Sequence, residues 1–343
     1  MEALNQRKRR ILQAVIDDYI LSAEPVGSRT IARQHDLGVS SATIRNEMAN
    51  LENMGYLEHL HTSSGRIPSA KGYRLYVNDL LPREPMTDKE KALIDHWYRA
   101  RVKSMEGVFQ ETTKIISRVT KNMSLVLAPQ FSQARFKELR FMELDGERVV
   151  AILLTDTGFV ENRVVRMPPG SEFKDFTRMA EVINRCLAGE RLQTIRPKLY
   201  RRIRDEMMDE SLYNAAMELI HSALGEEKKE RLYLGGTRQM LEQPEFQDVE
   251  RVRGILTMLE EEQFVKGILH TDEGGDLTVT IGQENEVKGL EDVSVIRATY
   301  RLDGELLGTI AVLGPTRMEY GRAMSLIEYL HTSLRAIVGR YSL

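Results

Sequence analysis

SSATIRNEMANLENMGYLEHL, residues 40–60, is the stretch on which the reading of the N-terminal part of this chain turns. Two serines open it, an amphipathic helical pattern follows, and Gly55 comes just before a strand-like run. At about 100° per residue, Ile44, Met48, Leu51 and Gly55 fall on one face. Ala42, Asn46, Ala49 and Asn53 point the other way, with Thr43 and Asn50 on one flank and Arg45 on the other. A helix that needs only to be soluble shows Lys and Glu to water. Here the centre of the outward face holds no carboxylate, and Glu47 and Glu52 lie near its inner edges. Such a face suits the DNA major groove. Small side chains allow close approach, Asn pairs with adenine, Arg pairs with guanine, and Thr meets a thymine methyl. Ser40 and Ser41 sit where the first backbone N–H groups are free for a phosphate.

The flanking sequence supports that reading. Ile11, Leu12, Val15, Ile16, Tyr19 and Ile20 make one helical stripe, and EPVG (24–27) breaks it. Ser28 is expected to cap a short helix running to about His35, and DLGV (36–39) is a tight turn. EHLHTSSGRIPS (58–69) then reads as a hairpin with a polar tip. Helix, turn, helix and hairpin is the order of a winged helix-turn-helix. The candidate DNA-contacting residues are Ser28, Arg29, Thr30, Ser40, Ser41, Ala42, Thr43, Arg45, Asn46, Asn50, Ser64, Arg66 and Lys71. Residues 1–80 carry 10 Lys and Arg against 9 Asp and Glu, an excess of only +1. The cations are placed where phosphates would run: RKRR at 7–10, and Arg66, Lys71 and Arg74 with no acid between His59 and Arg74. A winged helix used for protein contacts is the competing reading, because fold alone does not decide function.

The chain has 343 residues, room for two or three domains. Its net charge of −3 excludes a uniformly basic nucleic-acid coat. No apolar run is long enough to predict a membrane span, and Asp17 and Asp18 interrupt what could resemble a signal peptide. The lone Cys186 cannot form an intrachain disulfide, which fits a cytoplasmic protein, and its helical apolar surroundings predict a packing role. LLPREPMTDKE (80–90) marks a domain boundary, followed by a long helix over 88–120. FKELRFMELDGERVVAILLTDTGFVENRVVRMPPG (136–170) predicts a three-stranded antiparallel meander with a turn at Asp145-Gly146. From 171 to 225 the pattern is helical, with one stripe at Phe173, Phe176, Ala180, Ile183 and Leu187 and two more at 199–207 and 212–220. Strands resume at 277–282 and 293–315, and a helix closes the chain from about Met318 to Gly339. The fold class is therefore α+β and multidomain. Residues 1–82 form the winged helix-turn-helix, 83–170 with 229–343 an α+β domain with an antiparallel sheet, and 171–228 an inserted helical domain.

PVGSRTIAR (25–33), GVSSATIRNEMANLENMGYLEHLHTSSGRIPSAKGYRLYVNDLL (38–81) and DGELLGTIAVLGPTRMEYGR (303–322) closely resemble the HrcA family of heat-inducible transcription repressors. The resemblance implies a repressor of chaperonin and chaperone operons that binds a palindromic operator, CIRCE, as a homodimer. It also implies a winged-helix domain, a GAF-like α+β domain and an inserted helical dimerisation domain. Dependence on the GroE chaperonin for activity, and association with the nucleoid when bound, come from the resemblance alone.

Other constellations are weaker. His59 and His61 share a strand face, but no third ligand stands at metal spacing, and Glu58 faces away. YLGGTRQML (233–241) lacks the glycine spacing and the Lys-Ser/Thr ending of a phosphate loop. No catalytic set presents itself, so neither an enzyme nor a cofactor or metal is expected. The alternative function is a small-molecule-responsive repressor with a ligand in the GAF-like domain. No polar cluster in the strands marks a ligand, so a scaffold is preferred there. Because domain contacts are weaker than cores, operator affinity is expected to fall on modest warming, before global unfolding.

Overall fold

The structure, a computed structural model, describes residues 4–59, 65–82, 85–101, 105–128, 135–156, 160–191, 232–269, 276–285, 287, 289–302 and 305–341. It is a mixed α+β protein with antiparallel sheets. The N-terminal unit comprises α1 (Gln6–Ser22), α2 (Ser28–Gln34), α3 (Ser41–Asn53), β1 (Leu57–Glu58), β2 (Ile67–Pro68) and α4 (Ala70–Leu75). A π-helical turn, Tyr76–Leu80, continues α4. The Asn5 side chain caps α1 by accepting from Lys8 N at 2.9 Å. Ile11, Leu12, Ile31, Ile44 and Leu51 are fully buried where the three helices meet, each contributing about 1.5–3 kcal/mol by leaving water. His35 Nε2 lies 2.8 Å from Asp18 Oδ1 and ties the end of α2 to α1. Two local expectations are corrected. Ser28 is the first residue of α2, and Gly27 precedes it as a cap without a side-chain bond. Gly55 is not on the buried face of α3: it is an exposed turn residue with φ of 78°.

The expected helix over 88–120 is two helices, α5 (Asp88–Arg101) and α6 (Met105–Thr120). The hydroxyls of Tyr98 and Thr112 are 2.7 Å apart although fourteen residues separate them. In one straight helix they would stand about 21 Å apart. The chain therefore doubles back between α5 and α6. Next comes β3 (Met123–Leu127), a fully buried strand. After β3, the body continues with β7 (Leu232–Gly235), α8 (Thr237–Leu241), α9 (Val249–Glu260), α10 (Glu262–Leu269), β8 (Leu277–Ile281), β9 (Val293–Leu302), β10 (Glu305–Pro315) and α11 (Tyr320–Tyr341). The five strands form one antiparallel sheet in the order β7-β3-β10-β9-β8. Period-two alternation feeds two cores. Val126, Ile296, Ala298, Ile310 and Val312 face α6 and α11. Leu125, Leu127, Val293, Val295, Ala311 and Leu313 face the opposite layer with α9 and α10.

Between β3 and β7 lie β4 (Phe136–Asp145), β5 (Arg148–Thr155), β6 (Val160–Arg166) and α7 (Phe173–Leu187). The meander is formed as expected, but it is a separate three-stranded sheet and not the start of the one that resumes late in the chain. Its inner face packs on α7 in its own core, with Leu139, Val149, Ala151, Phe176, Ile183 and the buried Cys186. The physical reason is pairing. Leu127 of β3 sits opposite Leu232 of β7, so the chain leaves the body after β3 and re-enters beside the same strand. The helical stripes expected at 199–207 and 212–220 lie outside the described residues.

The N-terminal unit does not stand apart from the body. Its core runs without interruption into that of α5, α6, α11 and the sheet, and the Tyr73 ring meets the Tyr320 ring at 6.0 Å between centroids. The junction between the two units is therefore itself apolar core.

Candidate nucleic-acid interface

α3 presents its outer face through local geometry. Ser40 Oγ caps the helix by accepting from Thr43 N at 3.2 Å, and it lies 3.0 Å from Thr43 Oγ1. Ile44, Met48 and Leu51 point into the core. Ala42, Arg45, Asn46, Asn50 and Asn53 are exposed, while Ser41, Thr43 and Ala49 are half-buried beside them. Because Ser40 and Thr43 bond each other, Ser40 acts first as a cap.

Charge on this surface is sorted by pairing. The two carboxylates flanking the α3 face are both held by arginines. Arg7 Nη1 lies 3.8 Å from Glu47 Oε1, and Arg66 Nε donates to Glu52 Oε2 at 2.7 Å. Arg29, Arg33 and Arg45 are exposed, and no ion pair or hydrogen bond of their guanidinium groups is seen among the described residues. Arg33 was not among the candidates; its i, i+4 spacing from Arg29 on α2, which places both on one face, was the available signal. The carboxylates flanking α3 are thus partnered while Arg29, Arg33 and Arg45 are not, which favours a phosphate backbone, although Asp36 before α3 and Glu58 after it are also exposed and make no ion pair among the described residues.

The hairpin cations differ from expectation. Arg66 is tied to Glu52, and its backbone pairs with Val26 through two hydrogen bonds of 2.9 Å, adding a third short segment to the hairpin. Lys71 Nζ donates to the Met54 carbonyl at 2.8 Å and lies over the Tyr56 ring at 4.4 Å. Arg74 turns to the body. All three brace the end of α3 or the junction, and none is a free cation on a hairpin arm. Ser28 and Thr30 are half-buried at the start of α2, and Arg29 is exposed beside them. Ser64 and His61 lie outside the described residues, and His59 is exposed.

This pairing predicts a split in salt dependence. Arg29→Ala should reduce the slope of log K against log salt by about one unit for each half-site bound, the loss of one phosphate contact per chain. Arg66→Ala should leave the slope within about half a unit, and any loss of affinity should come through a slackened α3. Fluorescence anisotropy across a salt series distinguishes the two. Equal slope changes would show that Arg66 leaves Glu52 for the DNA.

Comparison with known proteins gives consistent matches. The profile described as HrcA protein C terminal domain matches residues 106–324. The heat-inducible transcription repressor HrcA of Halalkalibacterium halodurans is 40% identical over 336 residues, 98% of each chain. That of Symbiobacterium thermophilum is 41% identical over 335 residues, covering 96% of this chain and 98% of the relative. A crystal structure of a hypothetical protein aligns over 98% of both chains with a TM-score of 0.68 at 23% identity, a likeness of fold alone.

Proposed function

The chain belongs to the HrcA family of heat-inducible transcription repressors, and on that premise we propose that its N-terminal unit is a winged helix-turn-helix with α3 as recognition helix. The observation that carries this reading is the α3 face: exposed Asn46, Asn50 and Arg45 between carboxylates that are already paired. Ser41, Ala42 and Thr43 would approach base edges, and Ser28, Arg29, Thr30 and Ser40 the backbone. Arg66 and Lys71 would act mainly by bracing the helix, and Ser64, outside the described residues, is retained as a candidate DNA contact. The target is double-stranded DNA carrying an inverted-repeat operator of the CIRCE type. No described helix is long and apolar enough to cross a membrane, and the protein would act at the nucleoid.

The body built from α5, α6, β3, β7 to β10 and α8 to α11 would be the GAF-like domain, and β4 to β6 with α7 would belong to the insertion. This moves the meander out of the body and into the inserted unit. We assign homodimerisation to that unit, supported by the outer face of its sheet. Met142, Val150 and Val164 stand in one cross-strand row, Leu154 pairs with Val160 in another, and Met142, Val160 and Val164 are exposed. The row between them is Arg140, Ile152 and Asn162, so the face is mixed, but its exposed Met and Val side chains favour a partner, and a two-fold dimer matches a palindromic site. The test is light scattering with an operator duplex, where two chains per full site are expected. Val164→Lys should shift the free protein toward monomer by placing an unpaired charge in the interface, at a cost of several kcal/mol. One chain per full site would reject the dimer. The GroE chaperonin as partner rests on family resemblance.

The ligand-responsive alternative expects a ligand in the GAF-like domain, whereas the cleft that could be set against it lies at that domain's junction with the N-terminal unit. This cleft of about 500 Å³ lies between the N-terminal unit and α11, lined by Asp17, Tyr76, Leu81, Met86, Arg322 and Leu326. Burial pushes the Asp17 carboxyl up, against the lowering effects of the Tyr76 hydroxyl and of His35. Native mass spectrometry of the purified protein, searching for a co-purified small molecule, decides between the two.

A further inference from the structure

We infer that Arg317 and Arg74 are positioning residues that clamp the N-terminal unit on the body and thereby set the spacing of the two recognition helices in a dimer. The inference rests on the operator-binding reading above and goes beyond it, because it locates spacing selectivity away from the DNA.

Arg317 lies in the turn between β10 and α11, with its side chain only 12% exposed. It joins three segments. Nη1 donates to the Ile20 carbonyl at 3.2 Å, in the last turn of α1. Nη2 donates to Gln243 Oε1 and to Glu245 Oε2, each at 3.1 Å, and Nε donates to Glu245 as well. α1 has no basic residue in its own last turn. The body therefore supplies the cation that the negative end of that helix dipole favours. A planar guanidinium can serve these acceptors at once, which a lysine ammonium does not reproduce.

Arg74, on α4, makes the second clamp. Its Nε donates to Glu284 Oε1 at 2.8 Å and its Nη2 to the Val279 carbonyl at 2.8 Å, with a further bond to Glu284 Oε2. Val279 belongs to β8, an edge strand of the sheet. Glu284 is itself anchored, accepting from Ile281 N at 2.8 Å. Between the clamps the rings of Tyr73 and Tyr320 meet. The shared apolar core holds the two units together without direction, so it does little by itself to stop the N-terminal unit rotating on the body. Two clamps on different elements, with an apolar wedge between them, remove that rotation. The position of α3 is then fixed relative to the body, and this junction is one of the joints that set the spacing of two recognition helices.

A dimer with stiff joints engages both half-sites only at one helical phase, whereas slack joints tolerate others. The experiment uses the full-length protein. Wild type first selects a duplex from random DNA. Binding is then measured on that duplex, on versions with the spacer changed by about half a turn, ~5 bp, and on a single half-site. Wild type should lose roughly 10²-fold when the phase is wrong, as simultaneous engagement fails. Arg317→Ala and Arg74→Ala should bind the half-site as wild type does but lose less than about ten-fold on the shifted duplexes. Arg317→Lys should fall between. If Arg317→Ala loses half-site binding or its folded circular dichroism signal, Arg317→Lys and Arg74→Gln carry the comparison. Variants that keep the full spacing penalty overturn the inference. A wild type that selects no inverted repeat overturns instead the operator reading on which the inference stands.

Discussion

Asn46→Ala should weaken operator binding by about 1–3 kcal/mol in each half-site, the usual worth of a bidentate base contact. A symmetric dimer loses this twice, so the full operator should bind roughly 30-fold to 10⁴-fold less tightly. Random DNA should be bound almost as before, because base contacts specify and phosphate contacts position. Asn46 is chosen because it is exposed at the centre of the outer face, between Ala42 and Ala49, where a side chain reaches deepest into a groove. Its amide has no hydrogen-bond partner among the described residues, so removing it costs the fold little. Arg45→Ala should show the same pattern at a different base pair. Competition titrations with single-base operator variants locate each contact. A loss shared equally by operator and random DNA would mean that α3 is turned about its axis relative to the orientation proposed.

The second large effect is on stability and comes from two glycines. A Cβ on Gly72 would stand 2.2 Å from the Tyr56 carbonyl oxygen. That oxygen already accepts from Ser69 N at 3.1 Å, and Ser69 Oγ in turn donates to the Gly55 carbonyl at 2.6 Å. The start of α4 is thus packed against the chain leaving α3 with no room for a methyl group. Gly236 has φ of 82°, and a Cβ there would meet the Asn122 carbonyl oxygen at 2.4 Å. In both cases the obstacle is backbone, which cannot rotate away. Gly72→Ala and Gly236→Ala should each cost about 3 kcal/mol or more, at or beyond the usual overpacking penalty. Gly146→Ala, where a Cβ meets nothing within 4 Å, should stay within about 0.5 kcal/mol. Urea unfolding measures all three. Gly72→Ala as stable as wild type would show that the junction of α3 and α4 yields more readily than its geometry implies.

Gly236 also explains the YLGG run. Together with Gly235, whose Cβ would press on Ser124 and Thr113 at 2.9 Å, it lets β7 lie close against β3 and α6. Its glycines serve backbone packing, which agrees with the absence of a phosphate-loop pattern.

Local periodicity determined much of this protein in advance. The stripe of α1, the buried Ile44, Met48 and Leu51 of α3, the meander around Asp145-Gly146 and the late strands all follow from patterns of period 3.6 or 2 within a dozen residues. The outward chemistry of α3 follows from the same arithmetic, because knowing which side is buried names the side that is not. What the sequence left open depends on partners far along the chain. The break between α5 and α6 lies in a run with no proline, and only the contact of Tyr98 with Thr112 exposes it. β3 is apolar except for the buried Ser124, because both its faces are covered, and such a run cannot be told from buried helix by period. Whether the meander joins the late strands is decided by β3 pairing with β7, more than 100 residues apart. The roles of the cations were hidden for the same reason. Arg66, Lys71 and Arg74 look alike as a basic run, yet each guanidinium or ammonium group is claimed by an acceptor that only the folded chain brings within reach: Glu52, the Met54 carbonyl, and Glu284 with Val279.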